Sequence, residues 1–333
     1  MESAASRNDN ALTSCAVNVS EVQYHVPVRV GDFSDFSCSR DHVLNAGEAV
    51  LGKRELPPGF LHFPVGYGGR SSSILAPGMD VRRPLGQYRS PEGVVFGLSK
   101  AMDFELEVAC VIGKPSNFGE PIDIDEADEH IFGFLLLNDW SARDIQGLEM
   151  NPLGPFNGKS LGTSISPWIV TADALEAYRV EGTKKDSAVA PYLQSNRKAS
   201  HYSVRLGVDI EAEGASTTIC QSQLAWLYWS VEDMIAHQTI NGCPLNAGDI
   251  LATGTVSGSQ KGSHGCLLEI TKGGKEPIDL KKGGQRTYLQ DGDAVRLTGV
   301  TPDGIVGFGF CYGQLCAGRT FSKASHSSVN GST

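Results

Sequence analysis

Apolar residues run unbroken from Phe134 to Leu137, and the segment closes on an acid, Asp139. A short apolar run without alternation predicts a strand buried on both faces. Phe104 to Gly113 (FELEVACVIG) has a different pattern. Alternate residues of a strand face the same way, so Glu105 and Glu107 share one face and Phe104, Leu106, Val108 and Cys110 the other. Residues 202–212 (YSVRLGVDIEA) alternate as a further strand. Residues 266–271 (CLLEIT) predict a buried strand carrying Glu269, 245–258 a turn and strand, and 286–318 short strands around Asp291-Gly292-Asp293. Val17 to Val30 alternates loosely and predicts a strand interrupted at Pro27. Helices are few. Ser39-Arg40-Asp41-His42 reads as an N-capped helix start, which puts His42 on a short helix behind a polar loop carrying Asp35. Trp229 to Gln238 predicts an amphipathic helix ended at Asn241-Gly242. Residues 54–74, with glycines and prolines among aromatics, predict one long ordered loop of the kind that tends to be functional.

The pattern is that of a mostly β protein (α+β) with few short helices, and the 39 glycines and 16 prolines fit its many turns. Its 333 residues suffice for a full core. Residues 1–16 are small and polar and predict a disordered arm; the serine-rich 319–333 predicts a disordered tail; 17–318 is then the folded domain. A net charge of −10 without any Lys/Arg cluster argues against nucleic-acid binding. No apolar stretch approaches the roughly 18 residues of a membrane span. The N-terminus lacks the basic and apolar regions of a signal peptide, so a cytoplasmic location is expected. The eight cysteines are scattered with no C-x-x-C pair, which argues against a zinc ribbon.

Chemistry concentrates after Asp139. Arg143, Asp144 and Gln146 follow it, and the loop Pro152–Gly158 delivers Lys159 and leads to Thr163. These groups fit either a salt-bridged connection between core elements or a pocket in which charge is held. Glu105 and Glu107 likewise fit either the solvent side of a half-buried strand or two ligands of a hard cation. Four carboxylates (Asp35, Glu105, Glu107 and Asp139) without clustered histidines or cysteines suit an oxygen-liganded divalent metal. His42 with the distant Glu269 suits a base and the acid that orients it.

Six motifs together carry a resemblance: DFSDFSCSRDHVLNAG, PVGYGGR, FELEVACVIG, LLLNDWSARDIQGLEMNPLGPFNGKSLGTSISPW, NGCPLNAGDILATGTVSG and LLEI. In order and spacing the chain resembles the fumarylacetoacetate hydrolase family over roughly residues 30–318. The resemblance implies a mixed β-roll or β-sandwich, a homodimer, and metal-dependent hydrolysis of a C–C bond in a 1,3-diketone. It implies a divalent cation (Mg²⁺ first, Ca²⁺ or Mn²⁺ as alternatives) on Asp35, Glu105, Glu107 and Asp139, with Lys159 and Thr163 at the metal-supporting positions. His42 matches the water-activating base, Glu269 its orienting acid, and Arg143, Gln146 and Lys159 the oxyanion set. Tyr67 and Thr255 match substrate contacts. Oxo-acid decarboxylation or isomerisation on the same metal site, or a binding role without turnover, are the alternatives.

The departures concern substrate recognition. Ser37 and Met150 stand where the family has tyrosines, Leu51 where it has an arginine, and Gly68 where it has a histidine. Donors suited to a carboxylate are lost and apolar wall is gained, which implies a substrate with a less polar end, unless Lys53 or Arg54 replaces the missing arginine. The family's larger members carry an N-terminal β-barrel domain for which the roughly thirty residues before the match leave no room.

Overall fold

The computed structural model describes residues 15–18 and 21–321. The expected disordered arm and tail fall almost wholly outside the described residues. Among the described residues two large sheets carry the main architecture, accompanied by four two-stranded ones. The principal strands are β1 (Phe33–Ser37), β2 (Val65–Gly68), β3 (Ile74–Leu75), β4 (Leu106–Ile112), β5 (Ile131–Asp139), β6 (Thr163–Ile165), β7 (Arg205–Ala212), β8 (Ala215–Gln223), β9 (Ile250–Ala252), β10 (Ala294–Val300) and β11 (Gly307–Cys316). The larger sheet runs β2-β1-β9-β4-β5-β6-β3, with β1 parallel to β9 and β4 antiparallel to β5. The smaller sheet runs β8-β7-β10-β11 and ends on the short strand Val81–Arg82. Structures of this mostly β fold, with few helices, are the architecture that the sequence pattern anticipates.

Strand alternation divides the larger sheet into two faces. Leu106, Val108, Cys110, Phe134 and Leu136 face the smaller sheet and join Leu206, Val208, Val295 and Leu297 in the main core. Phe33, Ala109, Val111, Leu135, Leu137, Ile165 and Ile250 make a second apolar cluster on the opposite face. With both faces covered, β5 has no polar side, which is why its sequence reads as a continuous apolar run. The opposite face is also strongly curled. Tyr67 on β2 donates a hydrogen bond to Asp139 on β5 at 3.1 Å. A flat sheet would hold those strands four spacings apart, about 19 Å. The sheet is therefore rolled, with the second cluster and the acids inside the roll.

Helix α1 (Arg40–Leu51) begins at Ser39, whose hydroxyl accepts the backbone N–H of His42, and ends at Gly52 in the left-handed region (φ 69°). Helix α2 (Arg143–Glu149) follows β5. Helix α3 (Val231–Thr239) opens with a reciprocal Ser230–Asp233 capping box close to the expected limits.

Four expectations are corrected. The segment 17–30 forms no strand among its described residues; Val26, Val28 and Val30 instead cover the second apolar cluster. Asp35 lies on a strand rather than a loop, because β1 is paired on both sides by β2 and β9. The loop expected over 54–74 contains β2 and β3; Gly66 and Gly69 lie so close to the Phe36 and Phe33 rings that an added Cβ would clash at 2.8 and 2.3 Å. Those glycines allow close packing of a strand, not a loop. Finally, Leu267–Ile270 is a single helical turn, α4, not a strand. The Asp103 carboxylate accepts the N–H groups of Leu267 (2.7 Å) and Leu268 (2.9 Å), fixing the turn from outside the segment.

Candidate functional site

Alternation alone places the acids together. Asp35 has the parity of Phe33, Glu105 and Glu107 that of Ala109 and Val111, and Asp139 that of Leu135 and Leu137. All four therefore extend the inner apolar cluster at one end of the roll. All four are buried, and one carboxylate oxygen from each lies within 4.8 Å of the others. The solvent-facing reading of Glu105 and Glu107 is thereby excluded. Lys159 sits in the middle as an ammonium, paired with Glu105 and, at 2.7 Å, with Asp139. Thr163 donates to Asp139 at 2.9 Å.

One lysine does not balance four acids. Burial first, and then the Asp139 charge, push the Asp35 carboxyl up to about 8. Burial and the Asp35 charge push Glu107 well above the carboxylate range. Asp139 is raised by burial against the opposing pull of Lys159. Burial disfavours ionisation of Glu105 too, but Lys159 and Arg143 outweigh it and hold that carboxyl down. Asp35 Oδ1 and both oxygens of Glu107 are buried without a hydrogen-bond partner. Unpaired buried carboxylate oxygens are costly, and a hard divalent cation is the ligand whose chemistry relieves them. The donor set thus fits such an ion, held by Asp35, Glu105, Glu107 and Asp139. Lys159 is not a ligand: Asp139 and Glu105 offset its burial and raise its pKa, and an ammonium has no lone pair. It acts as a fixed counter-charge.

Beside the quartet lies a second device. His42 Nδ1 is 2.7 Å from Glu269 Oε1, brought together by the packing of α1 on α4. Glu269 also accepts from Asn45 Nδ2 at 2.9 Å and Ser257 Oγ at 2.7 Å. Burial opposes its ionisation, but His42 and these donors win and keep the carboxyl below its usual range. With Nδ1 engaged, Nε2 of His42 is the nitrogen left for a reactant.

Arg143 opens α2 and points back at the acids. Its Nε donates to Asp103 (2.8 Å), Nη1 pairs with Glu105 (2.8 Å) and reaches Gln146 Oε1 (3.2 Å), and Nη2 is buried without a partner. Thr255 Oγ1 is buried and unpartnered as well. The loop carrying Lys159 is held by Glu149, whose carboxylate accepts the N–H groups of Phe156, Asn157 and Gly158 at 2.7–3.0 Å. Gly158 passes so close to α2 that a Cβ would meet Gln146 N at 2.7 Å.

Residues 32–314 of the chain match the family model described as fumarylacetoacetate (FAA) hydrolase, C-terminal. It is 43% identical over 317 residues to human fumarylacetoacetase, covering 93% of this chain and 75% of that protein. Against the fumarylacetoacetase of Arabidopsis thaliana it is 46% identical over 305 residues, covering 89% and 72%. The chain belongs to the fumarylacetoacetate hydrolase family. Among solved structures, the fold resembles fumarylacetoacetate hydrolase from Exiguobacterium antarcticum (TM-score 0.52, 22% identity, 91% of this chain and 83% of that one). It also resembles 5-carboxymethyl-2-hydroxymuconate delta-isomerase from Mycobacterium smegmatis (TM-score 0.53, 18% identity, 91% and 85%). Membership in this hydrolase family makes the chain an enzyme.

The family positions expected to recognise substrate fall differently. Tyr67 and Thr255 lie inside, Gln146 is half-buried beside Arg143, and Ser37 ends β1 half-buried. Leu51 closes α1 with 74% of its surface exposed, and Met150 caps α2 at 50%. Arg54 is engaged with Asn45 and Glu48. Sequence reasoning missed Asp103, Asn45, Ser257 and Glu149, the residues that hold the reactive groups. Only Asp103 left a signal, since it shares parity with Glu105 and Glu107. Among the described residues no helix is long and apolar enough to cross a membrane.

Proposed function

We propose that this chain hydrolyses the C–C bond between the carbonyls of a 1,3-diketone, fumarylacetoacetate or a less polar analogue, with a divalent cation, Mg²⁺ in the first instance. The observation carrying the reading is the His42–Glu269 pair set beside four buried carboxylates with unsatisfied oxygens. When bound, the cation would supply Lewis-acid polarisation of the substrate carbonyls.

The chain's own residues supply the rest. Glu269 holds Nδ1–H of His42 and leaves Nε2 to take a proton from water. The water oxygen bonds to the carbonyl carbon, and the oxyanion that develops there faces the unpartnered Nη2 of Arg143, with the Lys159 ammonium and Gln146 nearby. As the tetrahedral species collapses, the C–C bond breaks and its electron pair passes to the departing carbon, stabilised by the second carbonyl. The proton held at His42 returns to that carbon, giving a carboxylate and a ketone. The same reading takes the enzyme as a cytoplasmic homodimer, in line with the family resemblance.

The test is to incubate the protein with fumarylacetoacetate and Mg²⁺ and follow loss of the diketone's ultraviolet absorbance. Chelator-sensitive turnover to two products is expected. Release of CO₂, or an isomer with the carbon skeleton intact, would replace hydrolysis by the decarboxylase or isomerase reading.

A further inference from the structure

Among the described residues, one cation lining the site has no acid to neutralise it. A cavity of about 240 Å³ opens beside the quartet, lined by Asp139, Lys159, Thr163, Tyr67, Phe156 and Arg70 among others. Lys159 is spent on Glu105 and Asp139. Arg70 has no acidic partner among the described residues. Its backbone is nonetheless well located. Gly69, packed against the Phe33 ring and donating its N–H to Phe33 O at 2.8 Å, precedes it, and the Ser71–Ser73 turn follows. At Gly68 an added Cβ would meet nothing within 4 Å, so the space between Tyr67 and Arg70 is open. Three residues span at most about 11 Å, and Tyr67 itself touches Asp139, so Arg70 stands within one short substrate arm of the quartet.

We infer that Arg70 is a specificity-determining residue that receives a carboxylate on the substrate arm projecting away from the diketone, an inference that rests on the diketone reading above. Leu51 offers no such charge, and Arg54 is already engaged. A planar guanidinium suits a carboxylate bidentately. In a chain of net charge −10 an unneutralised cation at the cavity also selects for anions over the general repulsion. The substrate arm carrying the carboxylate would then lie along the side of the cavity lined by Gly68, Gly69 and Arg70.

The probes are 4,6-dioxoheptanoate and its methyl ester, titrated calorimetrically into the Mg²⁺-loaded protein. The wild type is expected to bind the acid about tenfold more tightly than the ester, as a charge-assisted pair would give. In Arg70→Gln the two dissociation constants are expected to converge, with Arg70→Lys between. Because Arg70 is exposed, a melting curve like the wild type's is expected and checks the fold. Binding of both probes without preference in the wild type, or a preference that survives Arg70→Gln, overturns the inference and leaves the diketone reading standing. Binding of neither probe removes that reading and the inference with it.

Discussion

The reactive centre and its rim are built on opposite principles. In the centre, Asp35, Glu105, Glu107, Asp139, Lys159 and Glu269 are all buried, and most of their polar atoms have a named partner at hydrogen-bond distance. The exceptions are Asp35 Oδ1 and both Glu107 oxygens, in the carboxylate quartet itself, and the neighbouring Arg143 Nη2 and Thr255 Oγ1 are likewise buried without a partner. At the rim, Leu51, Met150, Leu153 and Phe156 are exposed and apolar. Geometry that must be kept within a fraction of an ångström is held by strands and charge; recognition is left to side chains that can change without disturbing the fold.

If the centre is as integrated as its bonds suggest, single changes there are expected to be severe and separable. His42→Ala removes the proposed proton acceptor but no member of the quartet. Turnover is expected to fall by about 10³-fold, the range for loss of general-base catalysis, while calorimetric Mg²⁺ binding is retained. A variant that cleaves substrate normally would remove His42 from the role of base. Glu107→Gln tests the other device. Burial and the Asp35 charge keep the Glu107 carboxyl protonated in the metal-free protein, and its two oxygens have no partner, so the neutral Gln is expected to leave the metal-free melting midpoint near neutral pH close to wild type. The same variant is expected to lose most Mg²⁺-induced stabilisation and about 10²-fold or more in activity. Melting curves with and without Mg²⁺ decide it; an undiminished metal shift would mean that Glu107 is not a ligand.

Much of the centre was legible because strand alternation is a local rule. It puts Glu105 and Glu107 on one face, and a hydroxyl three residues ahead marks His42 at a helix start. What escaped were partners made by the fold. Asn45 and Glu269 are 224 residues apart in sequence yet 2.9 Å apart in space. The helical turn bearing Glu269 reads as a strand because its apolar residues are set by burial, while its helicity depends on Asp103, about 160 residues earlier in the chain. The strand β2 was hidden by glycines whose purpose is contact with Phe33 and Phe36, a purpose visible only once those rings are in place.

The quartet also predicts a pH dependence of definite sign. Asp35 is raised to about 8 in the folded chain, by burial and then by Asp139, against about 3.9 unfolded. Between those values the native state holds a proton that the unfolded state has released, so its contribution to metal-free stability falls as pH rises through the window. A cation binds the ionised form and offsets that loss. The Mg²⁺-induced rise in melting midpoint is therefore expected to be greater near pH 8 than near about pH 5.5. An equal rise at both values would contradict the buried, proton-holding state of the acids.

The smallest expected effect is at the rim, and it is the sharpest check on the contrast between the two regions. Leu51 ends α1, nine residues beyond His42, or about 13 Å along the helix axis. With 74% of its surface in water, truncation removes little buried area, so Leu51→Ala should change stability by no more than about 0.5 kcal/mol. If the rim is as open as drawn, KM for a diketone acid should also move less than about threefold, since less than roughly 1 kcal/mol of contact is available. The outcome that matters is a large rise in KM with kcat unchanged. It would mean that α1 and the Leu153–Phe156 loop close over the bound substrate, turning exposed apolar residues into a wall. Recognition would then be assembled on binding and not displayed beforehand, and Arg70 would act as one anchor of a closing site.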